Sequence, residues 1–163
     1  MQNILIWLSL FCAGLVIGCI IGSVCGKRLF LRMVISKNKA MIKNIFLYNV
    51  CGSLLLLREK NVDLSSFFAE NGLKRIAVYG MGRIGQSFIE LLKDTDYAVS
   101  YGIDRNKPKG IVPVYGLDEN LPEADIVVVT IWEIKDVKET LIVNEGCRIV
   151  GIKDILDVVL DGK

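Results

Sequence analysis

The chain has 163 residues, a formal net charge of +2 and no histidine. The lack of histidine excludes mechanisms in which this chain itself supplies an imidazole base or ligand. Its five cysteines show no CxxC or Cys/His spacing, so the sequence gives no sign of a disulfide framework or a zinc site.

The first 26 residues carry no charged side chain, and residues 4–24 (ILIWLSLFCAGLVIGCIIGSV) are almost entirely apolar. A helix of about 20 residues spans the hydrocarbon core of a bilayer, which is ~30 Å thick. The sequence therefore predicts a transmembrane helix that anchors the chain, with residues 1–26 as its first segment.

The charges are divided along the chain. Residues 1–58 contain seven basic side chains and no acidic one, whereas residues 59–163 contain thirteen basic and eighteen acidic ones. Basic residues beside a span remain in the cytoplasm, so we expect a single-pass protein of the cell membrane with its N-terminus outside and its C-terminal domain inside. Anionic lipid headgroups, rather than nucleic acid, are the partners expected for Lys27, Arg28, Arg32, Lys37, Lys39 and Lys43.

A lipoprotein signal is the alternative interpretation of the N-terminus. Residues 16–19 (VIGC) resemble a bacterial lipoprotein cleavage site that would leave Cys19 at the mature end. The apolar run continues beyond it to Lys27 and Arg28, however, which is typical of a stop-transfer anchor and favours an uncleaved helix.

A ladder of glycines recurs at every fourth residue of the predicted anchor, at Gly14, Gly18, Gly22 and Gly26. Small residues at this spacing allow two transmembrane helices to approach closely, which predicts a homodimer. The alternative is that these glycines reflect only the general frequency of glycine in such helices.

Residues 27–72 form the predicted juxtamembrane linker. Met41, Ile45 and Tyr48 recur at helical spacing among basic residues, which predicts an amphipathic helix that lies at the membrane interface or packs on the following domain. We expect residues 52–53 (GS) to interrupt this helix. Residues 63–72 predict a short helix that Asp63 caps and Gly72 ends.

From residue 73 to residue 163 the pattern is typical of an α/β domain. A strand at residues 75–79 runs into a G-x-G-x-x-G sequence and a helix at 86–93, and a second strand at 98–103 ends in an acidic residue. In this context the glycines bind a phosphate at the helix N-terminus and the acid binds a ribose. The predicted binding residues here are Gly80, Met81, Gly82, Arg83, Ile84, Gly85, Asp104 and Arg105.

The rest of the domain predicts a Rossmann-like, mostly parallel sheet of about five strands. Further strands are expected at 113–115, 125–130 and 147–151, with helices at 134–141 and 153–160; the connection after Asp104 has no room for a helix. Thr130 ends the fourth strand and Trp132 follows it, and both are added to the predicted ligand site. A fold that has kept the turn and lost its ligand is the alternative.

Four blocks of this domain occur in a familiar order: residues 79–82 (YGMG), 101–106 (YGIDRN), 112–118 (VPVYGLD) and 124–130 (ADIVVVT). Over residues 73–160 the chain resembles the small Rossmann-like domains of bacterial surface-polysaccharide proteins, such as nucleotide-sugar acetyltransferases and membrane-bound nucleotide-sugar dehydratases. The resemblance implies a nucleotide-sugar ligand held in part by acidic residues after the second strand. Those relatives often have two acids there, whereas this chain has Asp104 followed by Arg105.

Together these features predict a membrane-anchored and non-catalytic module that binds NAD or a UDP-type nucleotide sugar. It would act as an accessory or sensor for proteins of polysaccharide synthesis, because the relatives carry a further catalytic domain that is not recognised in this chain. Two alternatives remain open, namely an NAD(H)- or nucleotide-responsive regulator of a membrane transporter and an enzyme whose site a partner completes. The identity of the ligand separates them.

Overall fold

The computed structural model describes the backbone of residues 2–162 and the side chains of residues 26, 27 and 30–162. The chain divides into two units, Met1–Lys43 and Asn44–Lys163. One long helix, α1 (Gln2–Glu59), runs through the first unit and into the second. The second unit contains the whole sheet.

Helix α1 does not stop at residues 52–53, where we expected an interruption. A glycine inside a helix costs about 1 kcal/mol relative to alanine. Here the neighbouring residues offset this cost, because Val50 and Leu57 are buried in the core of the second unit and Leu54 packs against it. The end of α1 is thus part of the α/β domain.

The predicted anchor, residues 1–26, is helical in its backbone from Gln2 onwards, but the side chains of residues 1–25 lie outside the described part. The membrane crossing and the glycine ladder therefore stay predictions. Among the described residues, Phe30–Glu59 is long and apolar enough to cross a membrane, with a mean hydropathy of 1.5 over its best window.

After α1 the chain forms α2 (Ser65–Glu70), in which Leu64 occupies the cap position and Asp63, the expected cap, binds the first helical residue. The Asp63 carboxylate accepts hydrogen bonds from the Ser65 backbone N–H at 2.8 Å and from the Ser65 hydroxyl at 2.6 Å. Gly72, which was expected to end the helix, lies just beyond it with a φ of +64°. Glycine adopts this left-handed conformation without strain.

The five predicted strands are all present and all parallel. They are β1 (Ile76–Tyr79), β2 (Val99–Ile103), β3 (Val114–Tyr115), β4 (Ile126–Val129) and β5 (Arg148–Gly151), in the order β3-β2-β1-β4-β5. The inner strands β1 and β4 are buried along their whole length, as their continuous apolar sequences require. This strand order is that of a Rossmann-like sheet, as predicted.

Helices cover both faces of the sheet. One face packs against α3 (Arg83–Leu92), α5 (Ile152–Asp161), α2 and the end of α1, around Phe68 and Phe88. The other face packs against α4 (Ile134–Thr140) and the chain that precedes β4, around Tyr101 and Val137. As predicted, no helix connects β2 to β3.

Candidate functional site

The candidate site lies at the carboxyl edge of the sheet, because the strand register brings the strand ends together. Tyr79 at the end of β1 pairs with Ile103 of β2 on one side and with Val129 of β4 on the other. The next residues along the chain are Gly80, Asp104 and Thr130, so three predicted site residues meet at one edge. The chain order changes direction between β1 and β4, and ligands of open α/β sheets bind in the crevice at such a point.

The glycine loop has the geometry that its sequence requires. Gly80 has a φ of +95°, and a Cβ there would approach the Thr130 hydroxyl at 2.9 Å. A Cβ on Gly85 would overlap the carbonyl oxygen of Gly80, so only glycine allows α3 to start this close to the end of β1. A Cβ on Gly82 would instead meet no atom within 4 Å. The first and third glycines are thus needed by the fold, and the second leaves open space at the N-terminus of α3.

Asp104 connects the end of β2 to the glycine loop. One carboxylate oxygen accepts a hydrogen bond from the Met81 backbone N–H at 2.8 Å, and the other accepts one from the Asn106 backbone N–H at 2.9 Å. The Gly80 N–H donates to the Ile103 carbonyl at 2.9 Å beside them. A carboxylate oxygen has a second lone pair, so this acid can still accept hydrogen bonds from a ribose diol.

Met81 has a structural role that sequence analysis did not assign. Its side chain is 2% exposed and lies against the bare Cα of Gly102 in β2 and that of Gly110 in the following loop. A Cβ on Gly102 would overlap the Met81 sulfur, and a Cβ on Gly110 would come within 3.1 Å of its terminal methyl. Glycine inside a strand often marks a close approach of this kind, so Gly102 was the signal that could have revealed it.

Thr130 also supports the loop from inside. Its buried hydroxyl lies 2.6 Å from the Gly80 carbonyl oxygen and 3.0 Å from that of Tyr79. The hydroxyl hydrogen is therefore directed at the turn itself. Thr130 was predicted as a ligand contact, and the structure places its polar atom on the loop that would hold the ligand.

The remaining predicted site residues differ in their exposure. The Ile84 side chain is buried in the core, so only its backbone N–H faces the helix end. Arg83 and Arg105 are exposed, and Trp132 is half-buried in the segment between β4 and α4. The Arg83 side chain lines an apolar groove of about 690 Å³ between α3 and the end of α1, beside Leu54. Arg83 thus contributes its backbone to the loop and its side chain to a different surface.

The most strongly shifted carboxyl group lies at the opposite edge of the sheet. Hydrogen bonds from the Arg75 guanidinium and from the Arg75 and Lys74 backbone N–H groups lower the pKa of Asp125 to about 2. Burial raises the pKa of Tyr101 to about 12, and its hydroxyl donates to the Pro122 carbonyl at 2.7 Å. These groups stabilise the sheet and its connections. Among the described residues no cluster of acidic or cysteine side chains could hold a metal ion.

Residues 56–145, more than half of the chain, match the family model described as D-isomer specific 2-hydroxyacid dehydrogenase, NAD binding domain. The match includes the glycine loop, Asp104 and the first four strands. The searches of curated proteins and of solved structures found no significant match. The comparison confirms a dinucleotide-binding domain of the Rossmann type and supports NAD as the cofactor. It lends no support to a UDP-sugar, and the resemblance to polysaccharide proteins stays a prediction.

Proposed function

This chain belongs to the family of D-isomer specific 2-hydroxyacid dehydrogenase NAD-binding domains, and from that premise we propose that it is a membrane-anchored module that binds NAD(H). The observation that supports this most directly is the glycine loop tied to Asp104. Gly82 leaves open space at the N-terminus of α3, and the carboxylate beside it is held at 2.8 Å from the Met81 N–H. The residues present fit the pyrophosphate and one ribose of a dinucleotide.

In this proposal each part of the loop has one task. The backbone N–H groups at the start of α3, at Arg83 and Ile84, bind the pyrophosphate, since a helix N-terminus carries unpaired donors and a partial positive charge. Asp104 accepts hydrogen bonds from the ribose hydroxyls. Thr130 and Met81 hold the loop in the conformation that allows both contacts.

Asp104 also favours NAD over NADP. A carboxylate repels a 2′-phosphate at short range, and the ribose diol is the group that it recognises well. Arg105 is adjacent, but its side chain is exposed to solvent. We therefore propose a preference for NADH over NADPH.

We propose binding without chemistry by this chain on its own. Hydride exchange with a nicotinamide requires a substrate held beside the ring, usually with a catalytic acid or base, and no histidine is present in this chain to serve as one. Bound NAD(H) would then act as a signal of the cellular redox state. A partner that completes a catalytic site is the alternative, and added NADH would then be consumed only in that partner's presence.

Membrane anchoring is the second element of the proposal. It is supported by the uncharged residues 1–26 and by the basic residues that follow them. The N-terminus would lie outside the cell and the NAD-binding domain inside. Protease added to intact cells should then leave the domain uncut, and its digestion would contradict this topology.

A nucleotide sugar is the second candidate ligand, favoured by the order of the four sequence blocks at residues 79–82, 101–106, 112–118 and 124–130. The chain would then serve polysaccharide-synthesis proteins of the membrane. Both candidates use the same loop, so a single titration can compare them.

The test is a titration of the full-length protein in detergent micelles with NADH, NADPH and UDP-glucose. NADH should bind most tightly, and Gly82→Val should abolish binding because its branched side chain fills the space that Gly82 leaves open. Gly82→Ala is the matched control for folding. The absence of NADH binding at millimolar concentration, or tighter binding of UDP-glucose, would contradict the proposal.

A further inference from the structure

Helix α1 carries a second row of apolar side chains that are not part of the domain core. Between residues 31 and 55 the row advances by alternate steps of three and four residues, which is the spacing of a heptad repeat. We call this row the seam. Its a positions are Leu31, Asn38, Ile45 and Gly52. Its d positions are Val34, Met41, Tyr48 and Leu55.

The large side chains of the seam are exposed to solvent. The exposed fraction is 51% for Ile45, 81% for Tyr48 and 68% for Leu55, and Leu31 and Met41 are each 57% exposed. Apolar surface in water costs about 25 cal/mol per Å² relative to its buried state. A row of exposed apolar side chains of this length, interrupted at Asn38 and Gly52, is typical of a contact surface.

The opposite face of the helix is already occupied by the domain. Within residues 44–59, the side chains that pack into the domain core fall at the b, c and f positions of the same heptads: Phe46, Leu47, Val50, Leu54 and Leu57. These positions lie on the far side of a helix from a and d. Within residues 44–59 the domain core therefore contacts side chains other than those of the seam, and of the seam residues in this range Leu55 also borders the groove beside α3.

We infer that the seam pairs with the same segment of a second copy of this chain, as a parallel two-stranded coiled coil. The residue that identifies the partner is Asn38, an exposed amide at an a position within an otherwise apolar row. In a parallel pair in register, Asn38 lies across from Asn38 of the second copy, and the two amides can hydrogen-bond to each other. A single polar asparagine at an a position specifies this register and the dimer.

The residues beside the seam are compatible with this pairing. In a parallel dimer each g residue faces the following e residue of the other helix. Lys37 would face Ile42, and Asn44 would face Asn49, so no two like charges oppose each other. Residues 31–55 carry four basic side chains and no acidic one. Three of them, Arg32, Lys39 and Lys43, lie at b and f positions away from the paired face, which limits the repulsion between two copies.

Gly52 is the weak point of the seam, because it contributes no side chain at its a position. A Cβ at Gly52 would meet nothing within 4 Å in the single chain. Replacing it with isoleucine should therefore leave the fold intact and fill the gap between two paired helices. This inference is independent of NAD binding and of the glycine ladder in the predicted anchor.

Disulfide crosslinking of the full-length protein tests the pairing. In a background with all five native cysteines replaced by alanine, Met41→Cys and Leu55→Cys place single thiols at d positions, and Lys43→Cys places one at an outward f position as the matched control. Mild oxidation in micelles should crosslink the first two variants and leave the third, although paired, without a crosslink. The two d positions are 14 residues apart, about 21 Å along the helix, so an antiparallel pair cannot crosslink both.

A second variant distinguishes a paired seam from a seam that lies on lipid. Ile45→Asp should abolish the crosslink at Leu55→Cys, Ile45→Leu should retain it, and Gly52→Ile should increase it. NADH binding to the Ile45→Asp protein reports that the domain is still folded. If that variant binds no NADH, the test depends only on the crosslinking of the two d-position variants, Met41→Cys and Leu55→Cys, compared with that of Lys43→Cys. Equal crosslinking at all three positions, or at none of them, would overturn the inference and leave the lipid surface as the partner of this row.

Discussion

The carboxylate of Asp104 accepts a hydrogen bond from the Met81 backbone N–H at 2.8 Å, which ties the end of β2 to the loop between β1 and α3. The two residues are 23 positions apart in the chain. The same acid that was predicted to recognise a ribose therefore also fixes the loop that would bind the phosphates. Its removal should affect both binding and loop geometry.

Asp104→Ala should weaken NADH binding by about 5- to 150-fold, because the loss of a charge-assisted hydrogen bond costs ~1–3 kcal/mol. Fluorescence titration with NADH measures this. Asp96→Ala is the matched control, since Asp96 is an exposed acid near the start of β2, at the opposite edge of the sheet. Equal affinity of both variants would show that Asp104 does not contact the ligand.

Gly85→Ala should destabilise the domain strongly, whereas Gly82→Ala should not. The added Cβ at position 85 overlaps a backbone carbonyl that cannot move without opening the turn, and the one at position 82 enters open space. Thermal unfolding followed by circular dichroism should show a large fall of the midpoint for the first variant only. Similar midpoints would mean that α3 does not approach β1 as closely as the structure has it.

Gly102→Ala should cost about 1–3 kcal/mol of stability, which is typical of overpacking, because its Cβ overlaps the Met81 sulfur. Shortening the partner side chain in the Gly102→Ala/Met81→Ala double variant should relieve part of this cost. The double-mutant cycle measured by urea unfolding should therefore deviate from additivity. Strict additivity would contradict the contact between the two residues.

Leu57→Ala should lower the free energy of unfolding by about 2–5 kcal/mol, the usual cost of truncating a buried leucine. Leu57 is 5% exposed in the core cluster that contains Phe68 and Phe88. Ile142→Ala is the control, because Ile142 is 90% exposed. If urea unfolding does not distinguish the two variants, the end of α1 is not part of the domain core.

The stability of the domain should fall as the pH decreases from about 4 to about 2. The folded-state pKa of Asp125 is about 2, below the ordinary value of 3.8, so its ionised form stabilises the fold above pH 4 and this contribution is lost on protonation. In the Asp125→Asn variant the midpoint of thermal unfolding should decrease less between pH 4 and pH 2 than it does in the wild type. If the midpoint decreases equally in both proteins, other carboxyl groups cause the loss of stability in acid.

The local elements of this protein follow from its sequence. Continuous apolar runs predict the buried strands, and the glycine spacing predicts the turn, because a φ of +95° at Gly80 and the close approach at Gly85 are requirements that glycine alone meets. Asp104 could be assigned from its place after the second strand. These signals are local, since each depends on residues that are neighbours in the chain.

The tertiary structure decided what depends on residues far apart in the chain. Gly52 and Ser53 predict a break, but burial of Val50 and Leu57 against the domain keeps α1 continuous. The position of Thr130 at the end of the fourth strand predicts a ligand contact, yet its hydroxyl is directed at the carbonyl of Gly80, 50 residues earlier in the chain. The Met81 side chain packs against Gly102, which has no side chain, only because the sheet brings β2 beside β1. Propensity and periodicity act within a few residues, whereas packing between distant segments determines which of these local tendencies the folded chain keeps.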